Sequence, residues 1–150
     1  MQRTKTGKAQ FQKLVNSPQT VEVNYDEGKN SKDPSVLGGT NNGSFNFTTN
    51  NKGEIVDVDV KKSVITIYKG RIKEMIAKKK DYNISVYGKN ANGLSYNELV
   101  SVALGHEIDH TIKSNIITLV KEPAKVEVVP TQVSDSMIDE INNLKKKQRF

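Results

Sequence analysis

The chain contains no cysteine and no tryptophan, and only two of its 150 residues are histidines. The lack of cysteine excludes both a disulfide framework and a cysteine-ligated zinc site. With a hydrophobic fraction of 35%, any core must be built mainly from Val, Ile and Leu. No apolar run approaches the roughly 20 residues that a membrane-spanning helix requires. At this length we expect one domain, spanning residues 1–150, with a single modest core.

The N-terminal sequence, MQRTKTGKAQF, carries positive charges without the apolar segment of a secretory signal. We therefore predict no signal peptide, and a protein that acts outside its producing cell would need another route of delivery. We expect residues 1–5 to be flexible.

The net charge is +6, and a basic protein can bind nucleic acid or anionic membranes. The lysines, however, concentrate at residues 78–80 and 145–147, near the ends of two predicted helices. Lysines at those positions complement the helix dipole and remain solvated. No aromatic residues alternate with them, as a platform for stacking bases would require. The pattern therefore favours solvated helix ends over a nucleic-acid surface.

Hydrophobic periodicity predicts an α+β fold in which a mixed or antiparallel sheet packs on a central helix. The Asn- and Gly-rich segment 26–43 is predicted as a loop, and its glycines lack the flanking strand and helix of a phosphate-binding loop. Residues 115–121 either extend the central helix or form a new segment. Helices are predicted over 6–16, 71–80, 94–113 and 135–147, the last with Ser134 as its N-cap. Strands are predicted over 20–25, 44–49, 54–60, 63–68 and 83–87. The strands over 44–49 and 54–60 are predicted to form a hairpin.

The predicted helix over 94–113, LSYNELVSVALGHEIDHTIK, is the best-defined element of the chain. Ser95 and Glu98 have the spacing of a capping box and directly precede an apolar run. At about 100° per residue, the apolar side chains cover much more of the helix than a single stripe. Such a helix belongs in the core, so we expect the other elements to pack around it.

His106, Glu107 and His110 form a His-Glu-x-x-His sequence towards the end of this helix. Residues four apart lie one turn above each other, so both imidazoles can bind one metal ion. Glu107 lies about 100° around the helix from His106, where it can act as a general base. The zinc peptidases called zincins use this arrangement. We predict that His106 and His110 bind zinc and that Glu107 is the catalytic base.

A hydrolytic zinc site uses three protein ligands and keeps one coordination position open. Because the chain has no third histidine and no cysteine, the third ligand must be Asp or Glu. Glu127 is the first choice, since its carboxylate lies in an apolar segment that offers it no partner, and Glu140 is the second. Asp109 either accepts a hydrogen bond from one imidazole or is a solvated acid. The other downstream candidates are Glu122, Asp135 and Asp139.

The segment Ser95–His110, SYNELVSVALGHEIDH, resembles the active-site helix of the His-Glu-x-x-His metallopeptidase domains found at the C-termini of RHS-repeat and other polymorphic bacterial toxins. Those domains are distantly similar to type III secretion effector metalloproteases. The similarity extends more loosely to residues 6–25, to Glu127–Pro130 and to the final helix. Asp109 is a departure, because a small or apolar residue is commoner at that position.

The resemblance implies a small zincin-like domain with zinc on His106 and His110, Glu107 as base, and a downstream acidic ligand for which Glu127 is the match. It also implies a secreted or delivered effector that cleaves a protein in a target cell and is neutralised by a cognate immunity protein.

Two alternatives remain open. One is a non-catalytic basic module that binds nucleic acid or a protein partner. The other is zinc held only for structure, although structural sites usually have four ligands and often use cysteine. The sequence does not define a substrate.

Overall fold

The computed structural model describes residues 3–28, 36–78 and 84–148. Within these ranges the chain forms five α-helices and small sheets, most strands preceding most helices, so the predicted α+β class is confirmed. The helices are α1 (Lys5–Val15), α2 (Lys69–Ala77), α3 (Tyr96–His110), α4 (Lys113–Lys121) and α5 (Val128–Lys147), and the strands are β1 (Thr20–Asp26), β2 (Gly38–Asn41), β3 (Phe45–Thr49), β4 (Ile55–Val60), β5 (Lys62–Tyr68), β6 (Ser85–Val86) and β7 (Lys89–Asn90).

Three strands form a mixed sheet in the order β1-β5-β2. Strand β1 runs parallel to β5, and β2 runs antiparallel to it with Thr40 opposite Ile65. The predicted hairpin is confirmed as β3–β4, a separate antiparallel pair. Strands β6 and β7 form a third, two-stranded sheet. Strand β2 is therefore an edge of the three-stranded sheet, and this position brings it next to α3.

Helix α3 is the centre of the main core, as its apolar circumference predicts. It contacts β5 and β2 as well as the other four helices. Leu99, Val102 and Ile108 of α3 are fully buried and belong to the same cluster as Ile65 and Ile67 of β5. Removing these side chains from water is the main favourable term that holds the sheet and helices together.

Helices α3 and α5 approach closely at Gly105. A Cβ atom on Gly105 would lie only 2.4 Å from Sδ of Met137, a fully buried residue of α5. A side chain at position 105 would thus require the Met137 side chain, or the helix that carries it, to move. Because Gly105 directly precedes His106, the close contact brings the first half of α5 to the histidines.

The C-terminal end of α3 is held by side chains from residues that flank β1 and β2. The last carbonyls of a helix have no partner within it, and here Asn42 donates to the His110 carbonyl at 3.1 Å and Gln19 donates to the Thr111 carbonyl at 2.9 Å. Ser63 links the two amides, accepting from Gln19 and donating to Asn42. This network connects α3 to the sheet directly below the histidines.

The prediction of a loop over 26–43 is wrong in its last part, where β2 pairs with β5. Its sequence, Gly-Gly-Thr-Asn, has no alternation of apolar residues, and the strand forms because β5 offers backbone partners. Residues 29–35 lie outside the described residues. At the start of the described chain, Thr4 is buried and caps α1 by accepting from the Gly7 amide at 2.9 Å.

The last helix begins at Val128, so the prediction of Ser134 as its N-cap is wrong. Ser134 instead lies buried within α5. Residues 113–121 form a separate helix after a break at Ile112, which settles the alternative left open by the sequence. The strand predicted over 83–87 is reduced to Ser85–Val86, and Asn83 lies outside the described residues. No described helix has the length and apolar character needed to cross a membrane.

Candidate metal centre

Helix α3 places His106 and His110 on one face, one turn apart. Ser95 caps the helix as the sequence predicts, and it forms a complete capping box with Glu98. The two imidazoles converge, and their Nε2 atoms are 3.2 Å apart. The ring of His106 is almost completely buried, with 2% of the side chain exposed. Two nitrogen donors therefore meet at a single point.

Glu127 completes a group of three possible metal ligands. It lies directly before α5, and its Oε2 is 3.0 Å from Nε2 of His106 and 3.4 Å from Nε2 of His110. With 63% of its side chain exposed, Glu127 closes the group on the solvent side. The structure thus brings together the three residues predicted as ligands. His106 and Glu127 meet although they are 21 positions apart in the sequence.

The donor atoms are spaced as one small metal ion would require. Tetrahedral bonds of 2.0–2.1 Å to nitrogen and oxygen place neighbouring donors about 3.3 Å apart. The three separations here are 3.0, 3.2 and 3.4 Å. Among the described residues, this is the group of His and acidic side chains that could hold a metal ion.

The other acidic candidates lie elsewhere. Glu140, the second choice, accepts hydrogen bonds from the backbone amide and hydroxyl of Thr6 at the start of α1. Neither it nor the remaining three candidates belongs to the His106–His110–Glu127 group. Asp139 pairs with Lys89 and Glu122 pairs with Lys125, while Asp135 lies inside α5 rather than at its first turn.

Two polar side chains outside the predicted set orient the imidazoles. Nδ1 of His106 is 2.9 Å from the Ser134 hydroxyl, and that hydroxyl is also 3.0 Å from the Pro130 carbonyl. When Ser134 donates its proton to Pro130, it can accept from Nδ1–H of His106, and the Nε2 lone pair is then free for a metal ion. Such a partner fixes the tautomer and raises the basicity of a ligating histidine.

Asn115 makes the equivalent contact to His110. Its amide nitrogen lies 3.1 Å from Nδ1 of His110 and donates to it in this orientation. Rotating the amide by half a turn places its carbonyl oxygen there, where it can accept from Nδ1–H and leave Nε2 of His110 free. The sequence offered no signal for Asn115 or Ser134, because both come from other helices.

Tyr87 covers the face of the His106 ring. The two rings are stacked, with centroids 3.8 Å apart and an interplanar angle of 6°. Tyr87 adopts a positive φ of 49°, which a residue with a side chain rarely does. Burial, together with the charges of Glu107 and Glu127, raises the pKa of the Tyr87 hydroxyl well above its usual value, so the group remains neutral. Tyr87 thus restricts the tilt of the ring that Ser134 orients.

Asp109 faces away from the imidazoles. It is buried, and its Oδ1 lies 2.8 Å from Nζ of Lys13 and 3.5 Å from the amide of Gln10, both on α1. Both sequence interpretations, an imidazole partner and a solvated acid, are therefore wrong. The physical reason is that α1 packs on that side of α3 and supplies the counter-charge.

Glu107 is buried beside the edge strand β2. The Thr40 hydroxyl donates to its Oε2 at 2.8 Å. A Cβ atom on Gly38 would lie 2.8 Å from the Glu107 Cγ, so the glycine makes room for the carboxylate. Burial raises the pKa of Glu107, and the neighbouring histidines and Thr40 only partly oppose this. The carboxyl group is held in one position at the side of the candidate ligands.

The three candidate ligands are electrostatically coupled. Hydrogen bonds from His106 and His110 hold the pKa of the Glu127 carboxyl far below its usual range. Burial lowers the pKa of His110, but the hydrogen bond to Glu127 and the nearby carboxylates outweigh it, and the pKa is raised overall. Glu127 is thus an ionised carboxylate. It can accept hydrogen bonds from the two histidines, or it can bind a cation that lies between them and itself.

The group opens into a cleft of about 560 Å³. Glu107, His110 and Glu127 line the cleft together with Gly38 and Thr40 of β2. No protein-family model matches the chain, and no curated protein or solved structure is significantly similar to it. What the cleft does must therefore be inferred from its own residues.

Proposed function

We propose that this protein is a zinc-dependent endopeptidase of the zincin type. The observation that carries the proposal is the convergence of two imidazole nitrogens and one carboxylate oxygen within 3.4 Å of each other, next to a second, buried carboxylate. Nitrogen and oxygen donors at this spacing suit zinc. Three protein ligands leave a position open, which is typical of hydrolytic rather than structural zinc sites.

Each residue has a definite role in this proposal. His106, His110 and Glu127 hold the zinc ion. Zinc in such a site polarises a carbonyl group and lowers the pKa of water. Glu107 accepts the proton of the attacking water and transfers it to the departing amine. The Thr40 hydroxyl holds one Glu107 oxygen, so the carboxylate starts each cycle from the same position.

The test compares the wild type with Glu107→Gln. Both proteins should bind about one zinc ion each, because Glu107 is not a ligand, and only the wild type should cleave an unstructured protein such as casein. Removal of a general base costs roughly 10²- to 10⁴-fold in rate. The proposal fails if purified wild type binds no zinc, or if Glu107→Gln cleaves as fast as the wild type.

We further propose that the peptidase is a bacterial effector or toxin domain, delivered into a target cell and neutralised by an immunity protein. Support comes from the resemblance of Ser95–His110 to toxin metallopeptidase helices. Production in the cytoplasm of a bacterium or a eukaryotic cell should be toxic for the wild type and harmless for Glu107→Gln. Equal growth of cells producing either protein at matched levels, in both hosts, would contradict the effector role.

A further inference from the structure

Apolar side chains form part of the lining of the cleft. Val36, Ile116, Leu119 and Val126 line it together with Glu107, His110 and Glu127. Its volume of about 560 Å³ is within the range of sites that bind small molecules or side chains. An apolar lining beside a polar reaction site can bind part of a substrate that does not react.

Exposed large apolar side chains also occur on both sides of Glu127 in the sequence. Exposed large apolar side chains occur singly on most proteins and need no explanation. Here four of the nine in the described residues occur as two adjacent pairs, one at the end of α4 and one at the start of α5. The first pair is Leu119 and Val120, and the second is Val128 and Val129. Glu127 lies in the segment between the two pairs.

Charged side chains are disfavoured in the cleft. No lysine or arginine of the described part of the chain lines it. An acidic side chain would meet Glu107 and Glu127 without a cation from the protein. A charged side chain of either sign would also lose hydration against Leu119 and Ile116, which is unfavourable without a partner. A large neutral apolar side chain fits the apolar lining without these costs.

We propose that the cleft binds an extended polypeptide through a large apolar side chain, such as Leu, Ile, Met or Phe, next to the bond that reacts. This inference rests on the proposed peptidase function for the position of the bond. The binding of an apolar side chain against Leu119 does not depend on whether the protein cleaves the peptide. Leu119 is then a specificity-determining residue.

The cleavage test uses the zinc-loaded protein and a set of quenched fluorescent peptides that differ at the positions flanking the cleaved bond. Peptides with Leu or Phe should be cleaved with kcat/KM at least roughly 10-fold above those with Gly, Asp or Lys, the usual discrimination of an apolar pocket. Leu119→Ala should reduce kcat/KM for the Leu and Phe peptides several-fold, mainly through KM.

Leu144→Ala is the matched control, because Leu144 is 39% exposed and Leu119 is 40% exposed. Leu144 lies near the end of α5 and does not line this cleft. Replacement of Leu144 should leave kcat/KM unchanged for every peptide. Equal cleavage of all peptides, a preference for charged ones, or equal effects of the two replacements would overturn the inference.

A binding measurement separates the inference from the proposed function. Glu107→Gln is titrated with two blocked tripeptides, Ala-Leu-Ala and Ala-Asp-Ala, and amide chemical shifts are followed by NMR. The inference requires that only the leucine peptide shifts the amides of Leu119 and its neighbours, and that Leu119→Ala abolishes this. If the leucine peptide binds but the wild type cleaves nothing, the peptidase proposal fails and the inference stands. If the wild type cleaves but neither peptide shifts these amides, the inference fails and the peptidase proposal stands.

Discussion

The Ser134 hydroxyl of α5 lies 2.9 Å from Nδ1 of His106 on α3. It is buried and also contacts the Pro130 carbonyl, so its position is determined by its own helix. A residue that orients a ligating histidine through the opposite ring nitrogen contributes to metal affinity without touching the metal.

Ser134→Ala should weaken zinc binding roughly 10- to 100-fold while leaving one binding site, because Nδ1 of His106 loses its partner. Competition with a fluorescent zinc chelator measures the change. Ser136→Ala is the control, since Ser136 is on the exposed face of the same helix. An affinity for Ser134→Ala equal to that of the control would show that the hydroxyl does not orient the imidazole.

Gly105→Ala should destabilise the fold by up to about 2 kcal/mol. The added methyl group overlaps the buried Met137, and overpacking of a core costs about 1–3 kcal/mol, partly offset by the roughly 1 kcal/mol gain in helix propensity. Urea unfolding followed by circular dichroism measures the difference. Asn97→Ala is the control, because Asn97 is on the exposed side of α3, and it should change the free energy of unfolding far less. A Gly105→Ala protein as stable as this control would contradict the close contact between the helices.

Gly38→Ala should reduce kcat/KM about 10²-fold, because the new Cβ displaces the Glu107 carboxylate and a shift of this kind is costly in catalysis. Zinc content should not change, since Glu107 is not a predicted ligand. Gly39→Ala adds a methyl group to the neighbouring residue, where it meets the Tyr68 hydroxyl instead. Comparable loss of activity in both variants would mean that a general change in β2, rather than the position of Glu107, is responsible.

Lys13→Ala should lower the free energy of unfolding without changing zinc affinity. It leaves the buried Asp109 without its cation, and because Lys13 itself is 43% exposed, we expect a loss of roughly 1–2 kcal/mol. Thermal unfolding and zinc titration measure the two quantities. A change in zinc affinity would show that Asp109 acts on the metal site after all.

Removal of zinc with a chelator should lower the melting temperature. An ion that binds only the folded chain stabilises it by about 2.7 kcal/mol at a free concentration of 100 times its Kd. Addition of excess zinc should restore the original value. His110→Ala should melt at the same temperature with and without zinc, and a zinc effect that persists in this variant would place the ion elsewhere.

The errors of the sequence interpretation share one cause. The Gly-Gly-Thr-Asn sequence of β2 predicts a loop, because it has no apolar alternation, and the strand forms only through its pairing with β5. Ser134 precedes an acidic residue and so predicts an N-cap, but α5 begins six residues before it, at Val128. In both places long-range packing outweighed the local pattern.

The sequence by itself determined the relation among His106, Glu107 and His110, because the geometry of one helix sets the distance and angle between residues one and four apart. It also restricts any third metal ligand to an acid, since the chain contains no other histidine and no cysteine. Only the tertiary structure decided which acid meets the histidines. The close approach of α3 and α5 at Gly105 brings Glu127 and Ser134 to the imidazoles, while β2 brings Gly38 and Thr40 to Glu107. These contacts join residues distant in sequence, so no local pattern could have specified them.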